Sequence, residues 1–141
     1  MTTDADRAAS ALVVLDASAV VAMVASGGEL GDRIAARLAD ATLLAPHLSP
    51  TEVDSALRGL ERGRKISTVQ TDAARDLFAQ FPIDLWPWHL LSARAWQLRA
   101  NVTTYDAGYL ALAELTNATL VTCDARLRSI PGSSTRVEVF E

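Results

Sequence analysis

The chain contains a single cysteine, Cys123, and a single lysine, Lys65, among its 141 residues. One cysteine cannot form an internal disulfide bond, and it excludes zinc sites built on paired cysteines. No apolar run approaches the roughly 20 residues that a membrane-spanning helix requires. Residues 1–11 lack the basic start and the apolar middle of a secretory signal. We therefore expect a cytoplasmic protein with no membrane segment, whose residues 1–11 form a flexible N-terminal arm.

Composition indicates one globular domain. Half of the residues are hydrophobic and 21% are charged, and a chain of this length supports a single hydrophobic core. Neither an internal repeat nor a low-complexity linker divides it, so we predict one domain at 12–141. The net charge of −4 argues mildly against nucleic acid, because phosphate binders usually carry a basic face. That objection weakens if the acidic residues surround a bound cation while the basic residues lie elsewhere.

Short apolar runs alternate with amphipathic segments along the chain. The run at 11–15 is rich in Val and Leu, which is typical of a strand buried on both faces of a parallel sheet. We predict further strands at 42–45, 83–85, 118–122 and 137–140, and helices at 16–25, 30–38, from Ser49 to about 62, 68–79, 90–98, from 104 onward and 125–127. This alternation predicts an α/β fold with a parallel sheet wrapped by helices.

Four acidic residues fall where such a sheet forms its sites. Asp16 and Asp124 each follow a predicted strand, whereas Glu52 and Asp106 lie in the first turns of two predicted helices. Strand carboxyl ends and helix N-termini face the same rim of an open sheet, so the four carboxylates are expected to converge. Two such charges about 4 Å apart repel by roughly 4 kcal/mol at an effective dielectric near 20. An all-carboxylate cluster favours a hard divalent ion such as Mg²⁺ or Mn²⁺.

Each acid also has a purely structural explanation. Glu52 completes a capping box with Ser49 as the helix cap, and Asp16 is placed to cap the helix that follows it. Asp106 and Asp124 lie near helix starts, where negative charge is favourable. It is the joint placement of the four acids that favours a metal site.

Four stretches, at residues 14–18, 50–58, 103–114 and 120–127, each contain one of the four acids. Together they resemble the PIN-domain family, and within it the VapC toxins of bacterial toxin–antitoxin pairs. The third stretch, with the sequence TTYDAGYLALAE, is the longest and most specific. The resemblance runs in the family's order over nearly the whole chain and omits only the N-terminal arm.

The resemblance implies a three-layer sandwich, with a central parallel sheet of four or five strands between helices on both faces. It implies a metal-dependent endoribonuclease that leaves 5′-phosphate and 3′-hydroxyl ends. Asp16 and Asp106 would be the chief contacts to Mg²⁺, for which Mn²⁺ would substitute, and Glu52 and Asp124 would complete the shell directly or through water. Either Glu52 or Asp124 would orient or deprotonate the attacking water. The implied partners are RNA, a VapB-type antitoxin lying near the acids, and a second copy of the chain in a homodimer.

Several other side chains have possible functional roles. Ser18 and Thr122 are placed to hydrogen-bond the carboxylates or to cap helices. A basic ridge is predicted next to the helix that carries Glu52, and it consists of Arg58, Arg62, Arg64 and Lys65. We expect this ridge to be a solvated helix end rather than an RNA contact. The tryptophans are expected to pack, with Trp96 in the core because its segment is amphipathic.

Two other functions remain as alternatives. Aspartyl-phosphate chemistry also places Asp at strand ends, but the phosphatase signature requires a second Asp where Ser18 stands, and receiver domains require a lysine near the last strand. The only lysine, Lys65, is far from that strand in sequence. A non-catalytic PIN-like binding module would be favoured by loss of one or more of the acids, and all four are present.

Overall fold

The computed structural model describes residues 11–25 and 27–141. Five short strands form one sheet in the order β3-β2-β1-β4-β5, and every neighbouring pair is parallel. The strands are β1 (Leu12–Leu15), β2 (Thr42–Pro46), β3 (Ile83–Trp86), β4 (Thr119–Thr122) and β5 (Arg136–Val139). Val13, Val14 and Leu15 of the central strand are fully buried, as predicted for a strand covered on both faces.

Helices cover both faces of this sheet. They are α1 (Ala17–Ala25), α2 (Glu29–Leu38), α3 (Ser49–Arg62), α4 (Thr68–Ala79), α5 (Trp88–Gln97) and α6 (Thr104–Thr116), with a 3-10 helix at Ala125–Arg128. Val14 packs in a core with α5 and α6, whereas Val13 and Leu15 pack in a second core with α1 to α4. The predicted three-layer α/β sandwich is therefore confirmed. Within the described residues, no helix combines the length and apolar character needed to cross a membrane.

Helix α6 is the most deeply buried of the described helices. Its residues 107–113 are all buried, which is typical of a helix enclosed by the core on all sides. The helix begins after Thr103, whose hydroxyl accepts a hydrogen bond from the Asp106 backbone N at 3.2 Å. This rigid helix fixes Asp106 at one end of the sheet.

Two local predictions were wrong. Ser49 is not a helix cap but the first residue of α3, and its side chain makes no capping bond. Trp96 is not in the core, since 66% of it is exposed. The buried face of α5 is instead formed by Leu91 and Ala95, with Leu98 following the helix. Trp96 directly follows Ala95 and is therefore rotated by about 100° from that face.

The predicted N-terminal arm lies outside the described residues except for Ala11. The carbonyl of Ala11 accepts a hydrogen bond from the Thr42 backbone N at 2.7 Å, beside the first pair of the β1–β2 ladder.

Glu114 of α6 holds the loop that leads into β5. Its carboxylate accepts hydrogen bonds from Arg94 Nε at 2.5 Å, the Ser134 backbone N at 2.9 Å and Ser133 Oγ at 3.0 Å. Although burial alone would raise the pKa of Glu114, the Arg94 guanidinium and the two serines lower it. An acid whose pKa is lowered by folding stabilises the fold above its unfolded pKa, and this stability is lost as the pH falls through the folded pKa.

Glu114→Gln is expected to lower the free energy of unfolding at pH 7 by about 1–3 kcal/mol, and the difference should shrink at pH 3. Urea unfolding at both pH values measures this. Glu138→Gln is the matched control, because Glu138 also pairs with an arginine, Arg37, but its side chain is 42% exposed and its loss should cost less than about 1 kcal/mol. Equal effects of the two substitutions would contradict the role given to Glu114.

Candidate active site

Asp16 occupies the centre of the candidate site, between the end of β1 and the start of α1. It is only 6% exposed. One carboxylate oxygen, Oδ1, accepts hydrogen bonds from Ser18 Oγ at 2.7 Å and from the Ala19 backbone N at 3.0 Å. The other, Oδ2, accepts from Thr122 Oγ1 at 2.5 Å. Asp16 thus caps α1 through Ala19 and also lies at the carboxyl ends of β1 and β4.

The hydroxyls of Ser18 and Thr122 connect Asp16 to the chain that follows β4. Ser18 Oγ accepts from the Cys123 backbone N at 3.0 Å, and Thr122 Oγ1 accepts from the Asp124 backbone N at 3.0 Å. Each hydroxyl has one proton, and each donates it to Asp16. This arrangement suits an ionised carboxylate, because a protonated Asp16 would leave one of the two donors without an acceptor.

Burial raises the pKa of Asp16, while its hydrogen bonds from Ser18, Thr122 and Ala19 lower it and the charge of Asp106 raises it further. The net direction is upward. A buried carboxylate with three donors and a raised pKa is one that a nearby positive charge would stabilise.

Glu52 lies in the first turn of α3, and its Oε1 accepts a hydrogen bond from the Tyr109 hydroxyl at 2.9 Å. Tyr109 is 2% exposed, and burial strongly raises the pKa of this phenol, so it remains a donor. Burial also raises the pKa of Glu52, the Tyr109 bond lowers it, and the charges of Asp106 and Asp16 raise it. The predicted capping box is absent, because Glu52 bonds to Tyr109 and Ser49 caps nothing.

Ser49 lies next to this pair. Its Oγ is buried and has no hydrogen-bond partner among the described residues, yet it lies near enough to the Tyr109 hydroxyl to lower the pKa of that group. The contact between the two hydroxyls is therefore a close approach rather than a well-aligned hydrogen bond.

Asp124 lies before the 3-10 helix and pairs with Arg126. Its Oδ1 accepts from the Arg126 backbone N at 3.0 Å, and its Oδ2 accepts from the guanidinium NH2 at 2.6 Å. The Arg126 guanidinium lowers the pKa of Asp124. For Asp106, burial raises the pKa and the Thr103 hydroxyl lowers it, while Asp124 raises it and Arg126 lowers it. Arg126 is thus a cation that pairs with Asp124 and whose charge also acts on Asp106.

The four acids interact as charges. Asp106 raises the pKa of both Asp16 and Glu52, and Asp124 raises that of Asp106. Within residues 11–25 and 27–141, however, no three His, Cys, Asp or Glu side chains are grouped closely enough to hold an ion as they stand. Asp124 in particular is turned toward Arg126.

The donor set nevertheless suits a hard divalent cation. All four groups are carboxylates, which are the ligands that Mg²⁺ and Mn²⁺ prefer. Asp16, Glu52 and Asp106 all have raised pKa values, so the charged forms of these three groups are disfavoured without a cation.

Sequence reasoning missed Tyr109 and Arg126 as site residues. Tyr109 follows Asp106 by three positions on α6, so the two share one side of the helix, and a buried tyrosine hydroxyl requires a partner. The spacing of Tyr109 from Asp106 could therefore have identified Tyr109 as a site residue from the sequence. Arg126 follows Asp124 by two positions, and the two side chains meet because Asp124 caps the 3-10 helix by accepting the Arg126 backbone N–H.

A groove of about 770 Å³ lies beside the acids between α1 and α3. Its lining includes Ser18 and Glu52, together with the apolar side chains Val21, Leu48, Ala56, Leu60 and Tyr105. Of these, Leu48 and Tyr105 are 43% and 58% exposed. An open apolar groove that reaches a carboxylate is suited to an amphipathic peptide with a basic residue.

The PIN domain family matches residues 13–133 of the chain, which include all four acids. The chain therefore belongs to the PIN-domain family.

Within that family the chain is similar to VapC ribonucleases. It is 39% identical over 120 residues to ribonuclease VapC1 of Mycobacterium tuberculosis, covering 84% of this chain and 90% of that protein. It is 36% identical over 116 residues to ribonuclease VapC9 of the same organism, covering 82% and 88%. Among solved structures, VapBC2 from Rickettsia felis bound to a promoter DNA fragment has the same fold. That match has a TM-score of 0.69 at 16% identity and covers 92% of this chain and 99% of the other.

Proposed function

We propose that the chain is a divalent-metal-dependent endoribonuclease toxin of the VapC type. The observation that carries the proposal is the buried Asp16 carboxylate, held by three donors and coupled in charge to Asp106 and Glu52. Fully burying an acid that stays ionised is costly unless a cation is present. The relatives named as VapC ribonucleases support RNA as the substrate.

In this proposal Asp16 and Asp106 hold Mg²⁺, or Mn²⁺ in its place, with Glu52 and Asp124 completing the shell directly or through water. A bound divalent ion polarises the scissile phosphate and lowers the pKa of the attacking water. Asp16 needs no further orientation, because Ser18, Ala19 and Thr122 already fix both of its oxygens.

Glu52 is the better general base of the two candidates. Its pKa is raised by burial, whereas the pKa of Asp124 is lowered by Arg126, and proton acceptance improves as the pKa approaches the working pH. Tyr109 holds one oxygen of Glu52 and leaves the other without a donor among the described residues. Asp124, in contrast, has both oxygens occupied by Arg126.

Aspartyl-phosphate chemistry at Asp16 is disfavoured by the same geometry. The phosphatase signature requires a second Asp at the position of Ser18, and the Ser18 hydroxyl there donates a hydrogen bond to Asp16 instead.

The apolar groove between α1 and α3 supports a VapB-type antitoxin as partner. A C-terminal antitoxin segment lying there would cover Val21 and Leu60 and reach Glu52. We further propose a homodimer, and a cytoplasmic location where RNA and a newly made antitoxin are both present.

Tyr109→Phe is expected to cost about 1 kcal/mol of unfolding free energy and to move the acidic limb of the cleavage pH profile to higher pH. The Tyr109 bond lowers the pKa of Glu52, so its loss raises that pKa and the base ionises only at higher pH. Rates measured between pH 5 and 9 test this, with Tyr105→Phe, an exposed tyrosine on the same helix, as control. An unchanged profile would exclude Glu52 as the base.

The proposed function is tested by incubating the purified chain with total RNA and sequencing the new ends. We expect cleavage with Mg²⁺ or Mn²⁺, 5′-phosphate and 3′-hydroxyl products, and no cleavage in excess chelator. Equal cleavage with and without chelator would overturn the metal-dependent mechanism, and no cleavage of any RNA under any metal would overturn the nuclease.

A further inference from the structure

A second groove, of about 440 Å³, meets the candidate site at the start of α6. Asp106 and Thr103 line it, whereas Tyr105 in the same helical turn lines the apolar groove. The other polar side chains of this second groove are Arg99, Asn101 and Arg126. One groove is therefore apolar and the other carries two guanidinium groups beside an acid of the site.

Arg126 is placed so that a phosphate can displace its present partner. Its guanidinium binds Asp124 through two nitrogens, at 2.6 Å and 3.0 Å, yet the side chain is 85% exposed. An ion pair so exposed is weak, because water screens the two charges. A phosphodiester offers the same planar guanidinium two oxygens in a similar arrangement. Exchange of carboxylate for phosphate would also free Asp124 toward the other acids.

Arg99, which lines the groove, stacks on the exposed ring of Trp96, which lies next to the groove. The Arg99 guanidinium carbon lies 4.3 Å from the centroid of the Trp96 ring, and its NH1 donates to the Trp96 carbonyl at 2.9 Å. Trp96 is 66% exposed, which core packing does not explain. A stacked arginine and tryptophan offer a flat surface for a base and a cation for its phosphate.

The basic ridge formed by Arg58, Arg62, Arg64 and Lys65 does not connect with the candidate site in this way. The groove that contains Arg64 and Lys65 is lined by residues 61–70 alone and includes none of the four acids. An RNA strand bound in that groove would not be held next to the candidate site.

We propose that single-stranded RNA lies in the groove lined by Arg99, Asn101, Thr103, Asp106 and Arg126, with one phosphate on Arg126 and one base stacked at Trp96. This assignment rests on the proposed function and names the surface by which that site would take its substrate. Arg126 is then a substrate-binding residue that exchanges Asp124 for RNA, and Arg99 and Trp96 hold the strand beyond the cleavage point.

Binding of a fluorescent single-stranded RNA to the full chain tests the assignment. The Asp16→Asn background prevents cleavage without altering the groove, since Asp16 does not line it. In this background Arg126→Gln and Arg99→Gln should each weaken binding about tenfold and lower the salt slope by about one. Trp96→Ala should weaken binding about five- to tenfold. Thermal melts confirm that each variant folds.

Arg128→Gln is the matched control, because Arg128 is an exposed arginine on the same 3-10 helix that lines a different groove. It should bind RNA within about twofold of the background, as should Arg64→Gln of the ridge. Full binding by Arg99→Gln and Arg126→Gln, with loss in Arg64→Gln, would overturn the assignment and place RNA on the ridge. A Trp96→Ala variant that loses self-association but keeps RNA affinity would make that face a contact between copies of the chain, and would also overturn it. These outcomes leave the proposed function standing if the wild-type chain cleaves RNA, and that function fails separately if it does not.

Discussion

Asp106→Asn is expected to cleave RNA about 10³-fold or more slowly than the wild type, because a lost metal ligand removes several kcal/mol of transition-state stabilisation. In metal-free buffer at pH 7 the same variant is expected to melt at a higher temperature than the wild type, by roughly 2–4 °C for about 1 kcal/mol in a domain of this size. Loss of function and gain of stability follow from one cause, which is the burial of several acids at one end of the sheet, where a cation is needed to keep them charged.

The sign of the stability change follows from the pKa values. Burial raises the pKa of Asp106, as it does those of Asp16 and Glu52. For an acid whose pKa is raised by folding, the stabilising contribution is fully present below the unfolded pKa and is lost as pH rises through the folded pKa. The metal-free wild type should therefore lose stability from these groups as the pH rises above the ordinary carboxyl pKa, and Asp106→Asn should lose less stability over the same range.

Thermal melts at pH 5 and pH 7 in chelator, together with cleavage assays in Mg²⁺, measure both effects. Asp40→Asn is the control, since Asp40 is an exposed acid at the end of α2 and its replacement should change neither property. An Asp106→Asn variant that cuts RNA at the wild-type rate would remove Asp106 from the metal site. A variant that is inactive but less stable than the wild type would show that Asp106 supports the fold rather than straining it.

Thr122→Val is expected to lower unfolding free energy by about 1.5–3 kcal/mol and cleavage by about 10–100-fold. Thr122 is fully buried, and its hydroxyl donates to Asp16 and accepts from the Asp124 backbone N. Valine has nearly the same shape but leaves a buried carboxylate short of a donor and a backbone N–H short of an acceptor. Urea unfolding and the cleavage rate are the two measurements.

Thr122→Ser keeps the hydroxyl and is the matched control, so it should retain most of the activity and lose only the packing of one methyl group. If the serine and valine variants lose activity equally, the Thr122 hydroxyl does not position Asp16, and its effect is one of packing.

The central layer of the fold was predictable because its signals are local. The run at β1 is apolar at every position and ends at Asp16, and the structure buries Val13, Val14 and Leu15 completely. The same reasoning placed Asp124 after β4 and Asp106 in the first turn of α6, where the structure also has them. Ser18 and Thr122 were expected to hydrogen-bond a carboxylate, and both donate to Asp16.

Contacts that depend on which face of a helix packs against the core or against another helix were less predictable. Trp96 is in an amphipathic helix, but the smaller Ala95 beside it faces the core. Ser49 and Glu52 have the spacing of a capping box, yet the buried Tyr109 hydroxyl from another helix takes Glu52 instead. The Asp124–Arg126 pair depends on a short 3-10 turn, which the sequence signals only weakly.

Calorimetric titration of Mn²⁺ into the wild-type chain and into the Asp16→Asn and Asp106→Asn variants tests the central claim most directly. A carboxylate cluster that shares an ion predicts saturable binding to the wild type and a loss of at least tenfold in affinity in each variant. Equal Mn²⁺ binding by all three proteins, or RNA cleavage by the wild type with no measurable binding, would contradict a metal held between Asp16 and Asp106.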